Sequence, residues 1–158
     1  MNLPSIEELI VAVTPLAWPD IYAVRKAESE LTKRSGGDYP SAVTTIDLVE
    51  YVLAWRRFVL SVSTGYRLHR EDYQNSLAGR DTLEQIVELL PGDFAARIRG
   101  VLPNIDAVFR ENTNLIERTL WRHDSSASED LFRRIPAAAR RDVLEDLMAE
   151  TYRASEPG

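Results

Sequence analysis

The chain contains no cysteine, only two histidines and only two lysines among its 158 residues. Without cysteine there are no disulfides, no thiolate nucleophile and no sulfur-rich zinc site. No uninterrupted apolar run is long enough to cross a bilayer. The first residues carry no basic leader, and Glu7 and Glu8 interrupt their short apolar stretch, so a signal peptide is not expected. The address these absences suggest is the cytoplasm. Gly-rich phosphate loops, G-x-S-x-G elbows and repeats at solenoid periods are also missing, and no segment alternates apolar and polar residues as a half-buried strand does.

What the chain has in abundance is helical periodicity. Leu48, Val52, Trp55, Val59, Val62, Tyr66, His69 and Tyr73 recur at alternating spacings of four and three. Such residues share one face of an α-helix. Ile46, Val49, Leu53 and Leu60 flank the stripe on one side and Tyr51 and Phe58 on the other, so this helix must be surrounded by others. A second ladder, Phe94, Ile98, Val101, Ile105, Val108, Asn112, Leu115 and Thr119, repeats the spacing, with Pro103 in its middle. Proline there removes one amide donor, which implies two nearly collinear pieces or one kinked helix.

The pattern therefore predicts an all-α, single-domain bundle of six to eight helices. A long central helix, about 45–77, packs on a Pro-kinked helix, about 94–122. The domain is expected to span 1–153, with a frayed tail at 154–158. Around the two rods, Ser5 and Glu8 have capping-box spacing for a helix running to about Thr14. Asp20 opens another that buries Ile21, Val24, Ala27 and Leu31 and ends at Gly36 and Gly37. The segment 35–44 is the longest expected loop. Ala78-Gly79-Arg80 is expected to break the central rod, with Asp81 and Glu84 capping a short helix that Pro91-Gly92 stops. Ser126 and Glu129 suggest a cap for a helix through Ile135, and Pro136 suits the first position of the last one.

Net charge is −6, carried mainly by the two ends: residues 1–44 sum to −2, 45–80 to +1, 81–122 to −2 and 123–158 to −3. Acidic ends disfavour nonspecific nucleic-acid binding, which needs excess cation facing phosphate. Seventeen of the nineteen basic residues are Arg, as the codon usage of a GC-rich bacterial genome would produce.

Candidate chemistry is sparse, and no catalytic, metal or cofactor set emerges. His69 and Asp72 would share a helix face, but a metal site needs more ligands than these two. His123-Asp124 resembles paired metal ligands only as a dipeptide, and no Glu stands three residues before either histidine as a dimetal bundle requires. Arg56, Arg67 and Arg70, with His69 and Asp72, could line a cradle for an anionic ligand. Trp18, Tyr22 and Tyr39 lie in or beside the first two loops, where aromatics commonly anchor interfaces. Asn112 interrupts an apolar ladder, so its amide must fix helix register or meet a partner. The expected function is a non-catalytic protein-binding module: an adaptor, inhibitor, immunity protein or accessory subunit. The alternative is a helical enzyme or anionic-ligand domain built on His69, Asp72 and the nearby arginines. The expected partner is another protein or a second copy of the chain.

Overall fold

A computed structural model describes residues 2–15, 18–34, 45–116 and 130–153. The expected loop at 35–44, the far end of the second rod, the pair His123-Asp124, the Ser126/Glu129 cap and the tail at 154–158 lie outside the described residues. Within them the architecture is all-α, with seven helices and one small two-stranded ribbon.

Helix α1 (Ile6–Val13) begins as its capping residues require. The Glu8 amide donates to Ser5 Oγ at 3.1 Å and the Ser5 amide to Glu8 Oε2 at 2.6 Å. The bond from the Ser5 backbone, with that from its hydroxyl, holds the Glu8 carboxyl below its ordinary pKa. Leu9, Ala12 and Val13 are buried. Helix α2 (Trp18–Arg34) buries Val24, Ala27 and Leu31.

The expected central rod is two helices, α3 (Thr45–Ser63) and α4 (Arg70–Glu88). The break falls at Gly65, whose φ of +102° is a conformation that side chains disfavour. It does not fall at Ala78-Gly79-Arg80, which lies inside α4, with Gly79 beside the Tyr51 ring of α3. Asp81 is consequently an interior residue, accepting from Gln85 Nε2 at 2.8 Å, and caps nothing. The stripe keeps phase through the turn because Tyr66 and Tyr73 enter one aromatic cluster from two elements. Phe58 of α3 lies 5.2 Å from Tyr73, Tyr66 lies 5.2 Å from Tyr73, and Trp55 lies 5.2 Å from Phe109. Each such pair adds about 0.5–1.5 kcal/mol beyond the area it buries.

The second rod is also two helices, α5 (Gly92–Arg99) and α6 (Leu102–Glu111). Pro103 sits in the first turn of α6, where a missing amide costs nothing. Helix α6 does not continue to residue 122. It ends at Asn112, and the chain extends into β1 (Thr113–Leu115), which pairs antiparallel with β2 (Arg134–Pro136) in the register Thr113 to Pro136. The expectation of no strand, and of Pro136 as the start of a helix, is thus corrected. A 3-10 turn (Leu131–Arg133) replaces the helix expected through Ile135, and α7 (Arg141–Arg153) begins five residues after Pro136. The ribbon is fastened to the bundle by Tyr73, whose hydroxyl donates to the Arg134 carbonyl at 2.8 Å. Tyr66 holds the following segment, its amide donating to the Ala138 carbonyl at 3.0 Å.

One continuous apolar core joins all seven helices. Val59 of α3 and Val108 of α6 are 0% and 5% exposed, so the two rods do meet through their stripes.

Replacing Gly65 by Ala forces a β-carbon onto the positive-φ turn and is expected to cost about 1–2 kcal/mol. Urea denaturation should show the lower midpoint with an unchanged slope.

Burial raises the pKa of the Tyr66 phenol, with the Asp72 charge adding to it. Burial also raises that of Tyr73. Both stay neutral in the fold, whereas an unfolded tyrosine ionises near pH ~10. Their contribution to stability is therefore intact below pH ~10 and falls as pH rises above it. In a near-ultraviolet titration, the ionisation signal of Tyr66 and Tyr73 should appear only as helical circular dichroism is lost.

Candidate functional site

Two surfaces and one buried centre carry the polar chemistry of the bundle. The buried centre lies where α3, α4 and α6 meet. Asp106 accepts from Trp55 Nε1 at 2.8 Å and, through both oxygens, from Arg80 Nε at 3.0 Å and Arg80 Nη2 at 2.7 Å. Arg80 Nη1 donates to Glu84 Oε2 at 3.1 Å. Arg80 is 6% exposed and Asp106 5%. Burial works against the Arg80 charge, and the Asp106 and Glu84 carboxylates outweigh it, leaving the guanidinium pKa above its usual value. Every short bond here runs between side chains of the bundle itself, so the centre is structural.

The sequence pattern places Trp55 in the core but does not reveal its partner Asp106 or the Arg80 that pairs with that carboxylate. Arg80 had been assigned to a helix break. The signal was present, because Arg80 lies three residues from both Leu77 and Leu83, and Asp106 lies four after Leu102 and three before Phe109. A charge in phase with each apolar stripe marks a buried pair.

The cradle proposed around His69 is not assembled as such. His69 is exposed at the start of α4, and its amide donates to Asp72 Oδ2 at 3.3 Å, a bond within one helix turn. Among the described residues, no hydrogen bond joins its imidazole to another helix. Arg56 Nε is occupied by the Pro4 carbonyl at 2.7 Å, tying α3 to the segment before α1. Arg67 is exposed in the turn between α3 and α4. Arg70 reaches Glu71 at 3.3 Å and Asp146 of α7 at 3.5 Å. Of the five, His69 and Asp72 meet within one helix turn, while Arg56 is drawn to Pro4 and Arg70 to Glu71 and Asp146. Among the described residues, no three histidine or carboxylate side chains form a metal-binding group.

The interface residues fare differently. Asn112 is the C-cap of α6. Its Nδ2 donates to the Val108 carbonyl at 2.8 Å, and its own carbonyl accepts from the Ala137 amide at 3.0 Å. Its side-chain amide thus caps its own helix, while its backbone carbonyl holds Ala137, the residue after β2. Tyr39 lies outside the described residues. Trp18 and Tyr22, one turn apart on α2, stand 66% and 62% exposed.

The position of that face follows from local chemistry. Val24, Ala27 and Leu31 pin the opposite side of α2 to the core. Arg97 of α5 holds the start of α2, with Nη1 donating to the Thr14 carbonyl at 3.0 Å and Nη2 to Asp20 Oδ2 at 3.3 Å. The Arg97 guanidinium lies 4.8 Å from the Phe94 ring centroid. On the outer side, Arg25 lies 6.0 Å from the Trp18 ring centroid, at cation–π range. Lys26, Ser29 and Lys33 are also exposed. By helical phase, Trp18, Tyr22, Arg25, Lys26, Ser29 and Lys33 form one strip opposite the buried residues.

The chain matches no protein-family model, no curated protein and no solved structure.

Truncating Asp106 to Ala strands the buried Arg80 charge and the Trp55 indole donor, at an expected cost of about 3–5 kcal/mol. Replacing the pair together, Asp106→Leu with Arg80→Met, should recover more than half of that loss. A double-mutant cycle by chemical denaturation measures both.

Proposed function

We propose that the chain is a non-catalytic protein-binding module that works through the outward face of α2. The observation that carries this reading is the pair Trp18 and Tyr22, displayed in solvent on a helix whose opposite side is fixed to the core. Tryptophan, tyrosine and arginine dominate binding hot spots because they offer large contact areas with a polar handle, and the two aromatics lose little side-chain entropy. The face is anchored before any partner arrives, by Arg97 at the start of α2 and by Val24, Ala27 and Leu31 along it. Preorganisation of this kind reduces the ordering cost of association. An adaptor, inhibitor, immunity protein or accessory subunit in a bacterial cytoplasm would use such a face.

The test is affinity capture from the native host with genomic neighbours co-expressed. The wild-type chain is expected to retain a stoichiometric protein partner. The double substitution Trp18→Ala with Tyr22→Ala should reduce recovery by about tenfold or more, the loss of one hot spot, with helical circular dichroism unchanged. Absence of any stoichiometric partner, or retention by the variant, refutes the reading.

A further inference from the structure

The charge on the α2 face is opposite to that of the chain. Arg25, Lys26 and Lys33 are exposed on it, including both lysines of a protein whose net charge is −6. Among its described side chains the outer strip bears no carboxylate. Asp20 is turned to Arg97, and Glu30 lies toward the border of the strip, 3.6 Å from Lys33 in a solvent-exposed pair. An exposed pair of that kind contributes little and leaves Lys33 open to a competing anion.

From this charge complementarity, and resting on the protein-binding reading above, we infer that the occupant of the α2 face is an acidic amphipathic helix of a partner protein. Its apolar side chains lie against Trp18 and Tyr22, and its flanking carboxylates meet Arg25, Lys26 and Lys33. Arg25, 6.0 Å from the Trp18 ring centroid, supplies a bidentate donor beside an aromatic surface. Helix α2 has 17 residues, a strip about 25 Å long, which a single partner helix can cover.

The dimensions and composition of the face select against other anions. Charges beyond about 8–10 Å are screened at physiological salt, so a helix confined to the strip feels mainly its cations. Nucleic acid or a bilayer extends past the strip, and the chain as a whole carries −6. The outer strip also holds no Leu, Ile or Phe, the residues an interfacial membrane helix inserts.

Fluorescence anisotropy with labelled synthetic peptides tests the inference. One probe is an amphipathic helix matched in length to α2, with Leu on one face and Glu along both flanks. Its twin carries Lys in place of Glu. The acidic peptide is expected to bind the full chain at least about tenfold more tightly than the twin, and added salt should weaken it. The triple variant Arg25→Glu, Lys26→Glu, Lys33→Glu should invert the preference, and Trp18→Ala with Tyr22→Ala should abolish both interactions. All five positions are exposed, so circular dichroism should be unchanged.

Equal affinity for the twins overturns the inference. So does undiminished binding of the acidic peptide by the triple variant, or tighter binding of oligodeoxythymidine or phosphatidylglycerol vesicles than of the acidic peptide. A light-scattering mass of two chains that reverts to one on Trp18→Ala overturns it as well, since the face is then a homotypic seam. If the captured protein is still lost with Trp18 and Tyr22 while the acidic peptide is ignored, the inference fails and the protein-binding reading stands. If neither binds, both fail.

Discussion

The contact between Asp106 and Arg80, with the Trp55 indole closing it, determines how the three central helices sit. Each member comes from a different helix, and their bonds run from 2.7 to 3.0 Å. Taking two charges out of water is costly, and a well-packed apolar replacement can be as stable. What the ionic group adds is geometry. A bidentate guanidinium–carboxylate pair has few acceptable orientations, while apolar stripes can slide by a turn and remain buried. A slip of α4 or α6 by one turn would separate the charges inside the core. The register of α3, α4 and α6 therefore follows from this single constraint. The outer helices pack onto the frame it sets: α1 on α3 and α5, and α2 on α4 and α3.

The helical class and the main inward faces were legible because they depend on side-chain periodicity, which is local. The ladder from Leu48 to Val62 and, apart from the half-buried Val101, that from Phe94 to Phe109 are buried as their spacing required. The boundaries were not legible, for a physical reason visible at Gly65. The stripe Val62, Tyr66, Tyr73 stays in phase across a turn because both tyrosines reach the Phe58 ring, and a tertiary cluster can imitate helical periodicity. Gly79 was a false breaker, since tertiary packing on α3 overrides the modest helix penalty of glycine, about 1 kcal/mol. The ribbon was invisible because its strands are three residues long, and Tyr73, far away in the chain, holds β2 in place.

Legibility of the candidate site divides along the same line. Trp18 and Tyr22 could be singled out from residue type and their place beside a loop. Their association with Arg25, Lys26 and Lys33 becomes visible once the buried side of α2 is known, because only then does helical phase identify which charges share the outer strip. His69, Asp72 and the arginines illustrate the converse. Neighbours in sequence suggested a cradle, yet Arg56 is drawn to Pro4 and Arg70 to Asp146, partners that no local pattern reveals. Asp106 shows that a charge within an apolar ladder carries more information than a charge on a polar face, since burial obliges it to find a partner.

Frame and face are connected through Arg97. Its guanidinium lies against Phe94 while donating to Thr14 and Asp20, so one side chain joins α5 to the end of α1 and the start of α2. Asp20 is thereby engaged as a neighbour of Arg97 and contributes little negative charge to the outer strip. The interaction that holds the start of α2 thus also draws the Asp20 carboxylate toward Arg97. An acidic chain gains solubility from its overall charge, and on the outer strip of α2 a partner with matching carboxylates finds compensating cations that a partner without them does not use.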